Sequence, residues 1–252
     1  MVSSEELYNK FAPYFRLYSE KKNAYLHSID KLILENFPKN GLNMLDVGCG
    51  DGARGKYLFD KMKGEYLLMI DSSPEMITLS KKYENSKIKV ELSDISKSDR
   101  SNNWGKFGII LCLWNVLGHI PDDRKRLNAL RNMQSLLSLK GRLFLDISNR
   151  YNVRHYGFKK VTGNIIKDVI KPTFKNGDFN YQITINPKTV IDSTCHFFTP
   201  FEIRKLLKES DLKIIKEIPV DYSTGKTRRT IFEGHLFYIL GNSSNYLKLA
   251  RR

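Results

Sequence analysis

A chain of 252 residues, 41% of them hydrophobic, carries enough apolar material for a full core, which excludes a disordered or low-complexity polypeptide. Its formal charge of +15 favours anionic partners such as RNA, DNA, acidic lipid or a phosphorylated metabolite. No apolar run approaches ~18 residues, the start M-V-S-S-E-E lacks the pattern of a signal peptide, and Cys49, Cys112 and Cys195 show no metal-ligand spacing. The expectation is a cytoplasmic protein with reduced thiols, no bound metal and no membrane partner.

Residues 3 to 37 place Leu7, Phe11, Tyr14, Phe15, Tyr18, Tyr25, Ile29, Leu32 and Ile33 at helical spacing. They read as two helices broken near Ala12-Pro13, and residues 1–40 as a helical cap ahead of the first strand. The stretch N-M-L-D-V-G-C-G-D-G-A-R-G, Asn43 to Gly55, organises the rest of the chain. Met44, Leu45 and Val47 make a short buried strand that Asp46 interrupts near its end. Gly48, Gly50 and Gly52 then let a ligand approach the backbone and permit positive φ in a tight turn into a helix. Gly48, Gly50 and Ala53 also satisfy G-x-G-x-x-A, so these residues alone leave a dinucleotide-binding loop open.

A second strand, Tyr66–Ile70, ends in Asp71, about 20 residues beyond the turn, where a carboxylate can accept both hydroxyls of a ribose. Ser72, Ser73 and Pro74 open a helix through Lys82. A third strand, Lys87–Leu92, leads to Asp94 and Ile95. The fourth, F-G-I-I-L-C-L from Phe107 to Leu113, is nearly all apolar and therefore central, and runs into Trp114-Asn115-Val116-Leu117-Gly118-His119.

Together, L-D-V-G-C-G-D-G, I-D-S-S-P-E-M-I and the N-x-x-x-H segment from Asn115 to His119 resemble the class I S-adenosylmethionine-dependent methyltransferases, in particular their small-molecule, glycine N-methyltransferase-like branch. Three acids, Asp46, Asp71 and Asp94, closing successive strands separate this reading from a dinucleotide site. The resemblance implies S-adenosylmethionine as cofactor, with S-adenosylhomocysteine as product. The glycine turn of Gly48, Cys49, Gly50 and Gly52 with Asp46 would hold the methionine part; Asp71 and Ser72 would take the ribose; Met76, Asp94 and Ile95 would take the adenine. Leu113 and Trp114 would lie beside the sulfonium, with Asn115 and His119 facing the acceptor as catalytic candidates. Y-N-K-F-A-P-Y-F resembles the family's N-terminal cap, whose tyrosines reach the cofactor, making Tyr14 and Tyr8 candidates. Gly108 departs from the family's usual aspartate after Phe107.

A helix from Asp122 to Leu137 and a fifth strand, Arg142–Ile147, complete the regular part. Residues 149–198 read as an inserted antiparallel β flap on the acceptor side, with strands at Asn164–Ile170, Asp178–Asn186 and Thr189–Phe198 and a turn at Asn176-Gly177. Seven basic residues between Arg150 and Lys175 face one acid, Asp168. Thr199-Pro200-Phe201-Glu202 caps a last helix, and Leu212–Val220 pairs with Gly234–Leu240. The expected fold is α/β, a Rossmann-like seven-stranded methyltransferase sheet over 41–242 with its last strand antiparallel, and beyond it a polar tail, 243–252.

The function expected is methyl transfer to nitrogen or oxygen of a small-molecule acceptor, and the basic charge would suit an anionic one. The charge offers an RNA methyltransferase as the alternative, without an RNA-recognition motif or zinc-finger spacing to accompany it; a non-catalytic cofactor-binding protein of the same fold is the other. An amine needs no strong base before attack, whereas a hydroxyl acceptor would call on His119 or His196. The residues specify neither the acceptor nor the oligomeric state.

Overall fold

The computed structural model describes residues 4–40, 42–97, 104–186 and 189–243; the polar tail from 244 onward lies outside them. Apolar runs alternate with helices, and a strand that returns through a helix must pair in parallel. Five strands obey this: β1 (Asn43–Val47), β2 (Tyr66–Asp71), β3 (Ile88–Leu92), β4 (Phe107–Cys112) and β5 (Leu137–Ile147). β8 (Leu212–Val220) and β9 (His235–Asn242) complete one sheet in the order β3-β2-β1-β4-β5-β9-β8, with β9 antiparallel to both its neighbours. This is the expected Rossmann-like methyltransferase sheet, and its order reverses between β1 and β4.

Two apolar layers cover the sheet. On one face α3 (Asn23–Asn36) and α4 (Ala53–Met62) bury Tyr25, Ile29, Ile33, Leu58 and Phe59 against Met44, Leu67 and Ile109. On the other, α7 (Asp123–Leu136) and α10 (Pro200–Glu209) bury Leu130, Met133, Ile203 and Leu207 against Leu45, Leu68 and Ile110. Local chemistry sets the helix starts. Ser73 Oγ accepts the Met76 N–H at the start of α5 (Pro74–Ser80), and Thr199 and Glu202 form a complete capping box on α10.

The N-terminal cap is α1 (Ser4–Phe11), a 3-10 turn at Ala12–Tyr14, α2 (Phe15–Glu20) and α3. The insertion departs from its expected form. Asn164–Ile170 is not a strand: after α6 (Val116–His119) and α8 (Val153–Tyr156), the helix α9 runs from Phe158 to Ile170. Asn176-Gly177 closes a 3-10 turn instead of a hairpin, and only β6 (Asp178–Asn186) and β7 (Thr189–His196) form the separate antiparallel pair. The β-branched residues Ile165, Ile166, Val169 and Ile170 suggested a strand, but their spacing at four residues suits a helix face.

A buried polar network holds this insertion. Arg150 Nε donates to Asp168 Oδ2 at 3.0 Å, Tyr151 Oη donates to the same oxygen at 2.7 Å, and Asn176 donates to Oδ1 at 2.9 Å. The Arg150 guanidinium also lies 3.6 Å from Glu202, and Glu202 meets His196 Nε2 at 2.6 Å while Asp178 meets Nδ1 at 2.7 Å. Both ring nitrogens of His196 are thus engaged with carboxylates, so it is not available as a base. No described helix is long and apolar enough to cross a membrane.

Replacing Asp168 by Ala leaves buried Arg150 with only the more distant Glu202, a change that costs about 3–5 kcal/mol. Urea unfolding of the D168A variant should show that loss, and a loss below about 1 kcal/mol would mean the insertion is held by other contacts.

Candidate functional site

The site begins where β1 ends. The N–H groups of Gly48 and Cys49 both donate to Ile70 O, at 2.8 and 3.0 Å, folding the turn against β2. Gly48, Gly50 and Gly52 have φ of 69, 56 and 74°, the left-handed region that glycine enters without penalty. Space imposes the same choice: a Cβ on Gly48 would stand 2.6 Å from Val116, and one on Gly50 2.8 Å from the ring of Phe15. Asp71 at the tip of β2 fixes the turn from the side. Its Oδ2 accepts the Gly50 N–H and its Oδ1 the Ser73 N–H, each at 2.9 Å.

A second loop is built by the same device. Trp114 and Asn115, directly after β4, have φ of 58 and 63°. Left-handed backbone at two consecutive non-glycine residues costs about 1–3 kcal/mol each and persists only where its surroundings enforce it. Asp146, at the end of β5 and 1% exposed, does so. Its Oδ2 accepts the Trp114 N–H at 3.0 Å, its backbone carbonyl accepts the Asn115 N–H at 2.9 Å, and its Oδ1 accepts the Tyr25 hydroxyl at 2.5 Å. The Asn115 amide continues the brace, accepting from Ser148 N at 2.9 Å and donating to His196 O at 3.3 Å.

Between the two loops lies a cavity of about 210 Å³, at the point where the strand order reverses. Asp46, Gly48, Cys49, Leu113 and Trp114 form its floor; Phe15, Arg16, Leu26 and Asp30 come from the cap, and Arg54 from α4. Burial pushes the Asp46 carboxyl up to about 7; Arg54 pulls it down, and the nearby Asp71, Asp30 and Asp51 push it further up. Arg54 Nε donates to Asp30 at 2.6 Å, joining α4 to α3 across the cavity wall. Asp46 Oδ2 occupies the place of a side chain at Gly55, so a residue larger than glycine there would displace the carboxylate. Burial likewise raises the Cys49 thiol well above its ordinary range, so it lines the wall as a neutral thiol.

Several expected residues meet at this cavity: Asp46, Gly48, Cys49, Leu113 and Trp114 line it. Gly50, Gly52, Asp71 and Ser72 frame the turn beside it, with the cap lying over Gly50 through Phe15 and over Ser73, whose Oγ donates to Asn9 at 2.6 Å. Met76 is fully buried under this end of the sheet. Asp94 and Ile95 do not line the cavity. Asp94 Oδ1 accepts from Ser96 N and Oγ at 2.9 and 2.7 Å, and Ile95 packs into the core. Tyr14 does not line the cavity; like Phe15 it packs against the cluster of Leu7, Phe11, Ile183 and Ile191, and Phe15 also lies over the glycine turn.

The sequence reading missed Asp146, Tyr25, Arg54 and Gly55. The closing acid of β5 repeats the pattern of Asp46 and Asp71, which was its available signal; the others have partners far away in sequence.

On the far side of Trp114 aromatic side chains of the cap cluster with Tyr222 and His119. Trp114 stacks on Tyr18 at 6.0 Å and its Nε1 lies 3.4 Å from the Tyr222 hydroxyl; Tyr8 meets His119 edge-on at 5.2 Å. Burial lowers His119 to about 4, against a hydrogen bond to the backbone of Thr194 that raises it, so the imidazole is neutral at pH 7. Cys195, pushed up to about 12 by burial, lies within electrostatic reach of Tyr8, Tyr18, Tyr156 and Tyr222.

Residues 45–143 match the family model described as a methyltransferase domain. Among curated proteins the chain is 27% identical over 172 residues to an uncharacterised protein of Methanocaldococcus jannaschii, covering 68% of this chain and 58% of that one. It is 26% identical over 160 residues to a ubiquinone biosynthesis O-methyltransferase of Coxiella burnetii, covering 62% and 63%. The alignments thus span less than two thirds of these relatives' length. Among solved structures, an S-adenosylmethionine-dependent methyltransferase from Clostridium acetobutylicum superposes with a TM-score of 0.62 at 20% identity, covering 93% of this chain and 98% of that one. The glycopeptide N-methyltransferase MtfA, in complex with S-adenosyl-L-methionine, superposes with a TM-score of 0.58 at 12% identity, covering 86% and 94%. These likenesses establish the fold.

Removing the Tyr25 hydroxyl takes one of the donors from the buried Asp146 carboxylate and should destabilise the chain by about 1–3 kcal/mol. Urea unfolding of Tyr25→Phe measures this; wild-type stability in that variant would show that Asp146 does not depend on the cap.

Proposed function

We propose that this chain, a class I methyltransferase in its fold and domain match, uses S-adenosylmethionine to methylate a small-molecule acceptor admitted under the N-terminal cap. The observation that carries this reading is the cavity at the reversal of the sheet, where the glycine turn, the Asp46 carboxylate and Trp114 meet. The residues fit the cofactor in kind. The left-handed glycine turn is a cradle that side chains would fill, and Asp46 is a buried carboxylate with room for an ammonium group beside it. Asp71 would take the ribose: its oxygens accept from the Gly50, Ser73 and Ser72 N–H groups, which leaves acceptor capacity for one further hydroxyl. Reaching it requires the Phe15 ring and Asn9 to withdraw from over the turn. Asp94 would serve the adenine through Oδ2, since Ser96 engages Oδ1.

When bound, the cofactor supplies an electrophilic methyl group on a sulfonium. The chain's own contribution is alignment and exclusion of water, which reaches many orders of magnitude where donor and acceptor are held in line. Trp114 and Leu113 form the apolar wall between cofactor cavity and acceptor space. Asn115 acts on the reaction by positioning, since both ends of its amide brace the loop. His119, neutral at pH 7, can accept a hydrogen bond from the acceptor. A roof made by α1 packed on the β6–β7 pair, through Leu7, Phe11, Ile183 and Ile191, suits a small acceptor better than a polynucleotide.

Calorimetry should give saturable binding of S-adenosylhomocysteine and none of NAD. Asp71→Ala should weaken that binding at least about tenfold, the value of one lost charge-assisted hydrogen-bond pair; unchanged affinity would refute the ribose role. The Asp46 carboxyl of the free protein ionises near pH 7, so an ammonium group beside it favours the ionised form. Affinity should therefore fall as pH drops from about 8 to about 6, and Asp46→Asn should flatten the profile. A wild-type affinity independent of pH over that interval would remove Asp46 from contact with the ammonium.

A further inference from the structure

Helix α9 is amphipathic in the wrong direction for a helix of a monomer. Val161 is its one fully buried residue among those described, and it is anchored through Asp168 and through Asn164, whose amide donates to Arg150 O at 3.3 Å. The opposite arc carries its apolar side chains into solvent: Phe158 is 73% exposed, Ile166 53%, Val169 76% and Ile170 78%. Spacings of three, four and eleven residues place them on one side of the helix. Scattered apolar residues on a surface need no explanation, but a contiguous helical face does.

The charge around that face has one sign. Lys159, Lys160 and Lys167 lie on α9, Lys171 and Lys175 come after it, and none of the five is in an ion pair among the described residues. Asp168, the acid of this stretch, is turned inward to Arg150 and Tyr151 and does not offset them outside. The two further basic residues are not part of the surface charge: Arg150 is buried and Arg154 pairs with Asp221. A helix presenting branched aliphatic and aromatic side chains, bordered by lysines without acidic partners, matches an anionic lipid surface. The apolar side chains would enter the boundary of headgroups and acyl chains while the lysine stems reach back to the lipid phosphates. A nucleic-acid backbone would use the lysines but gain nothing from Phe158, Val169 and Ile170. A second copy would set five lysines against five across a two-fold axis.

We propose that α9 docks this protein on anionic membranes, lying in the interface without crossing it. Docking there needs no membrane-spanning segment, and it revises the expectation of no membrane partner. It is independent of the methyl-transfer reading, because α9 lies outside the cofactor cavity.

The test is flotation of the full chain with phosphatidylcholine vesicles, with and without one quarter phosphatidylglycerol. Partitioning should favour the anionic vesicles at least about tenfold and decline as salt is raised. The double substitution Val169→Glu with Ile170→Glu should lower anionic-vesicle binding by about tenfold or more, with thermal melting unchanged because both positions are exposed. Lys167→Glu with Lys171→Glu should reduce the anionic preference while leaving the fold intact. Binding to neither vesicle, equal binding to both, or full retention by the Val169/Ile170 double variant would each overturn the proposal. A wild-type dimer in light scattering that the same variant dissociates would assign the face to a second copy and overturn it as well.

Discussion

The carboxylates at the carboxyl ends of the strands hold the backbone N–H groups of loops that could not keep their shape alone. Asp71 grips Gly50 and Ser73; Asp146 grips Trp114 and reaches Tyr25. Both acids are buried, so their charge is tolerable only because N–H and O–H donors surround it. The loops in turn hold backbone strain that brings glycines and Trp114 to the two sides of one cavity. Remove the acids and neither wall has a reason to stand where it does. Asp46 is the exception, because its carboxylate has no comparable set of donors. Burial therefore pushes it to about 7, leaving a group ready to meet a cation.

The cap belongs to the site as well as to the core. Tyr25 and Asp30 tie α3 to Asp146 and Arg54, while Phe15 and Tyr18 lie against Trp114. Lys22 sits 4.8 Å from the Tyr222 ring, placing a cation over the aromatic wall. The cap thereby closes the cavity on the side of Phe15, Arg16, Leu26 and Asp30. The cap is held by the buried Tyr25–Asp146 hydrogen bond and the Arg54–Asp30 ion pair together with the aromatic contacts of Phe15 and Tyr18 to Trp114.

The insertion solves a different problem. A two-stranded sheet is marginal by itself, and β6–β7 is supported by α1 above it and by the network of Arg150, Asp168, Glu202 and His196 below. Buried ion pairs of this kind fix geometry more than they add stability. Here they clamp the inner face of α9 and leave its outer face free, which is the arrangement a surface-binding helix requires.

The sequence by itself determined the sheet, its caps and the glycine turn after β1, because these depend on neighbours close along the chain. Alternating apolar runs, the glycine spacing and an acid two residues before it are local signals, and Thr199 to Glu202 carries its own capping box. Only tertiary structure decided which carboxylates brace loops and which face the cavity. Asp94 and Asp71 look alike in sequence, but one serves Ser96 and the other braces the glycine turn. It also decided that Phe15 lines the cavity, that Asn164–Ile170 is helical, and that Asp146 and Tyr25 brace its Trp114 wall beside Arg54. Each of these depends on partners brought together from distant parts of the chain or from another element, and on burial, which sets what a carboxylate or an imidazole does at pH 7.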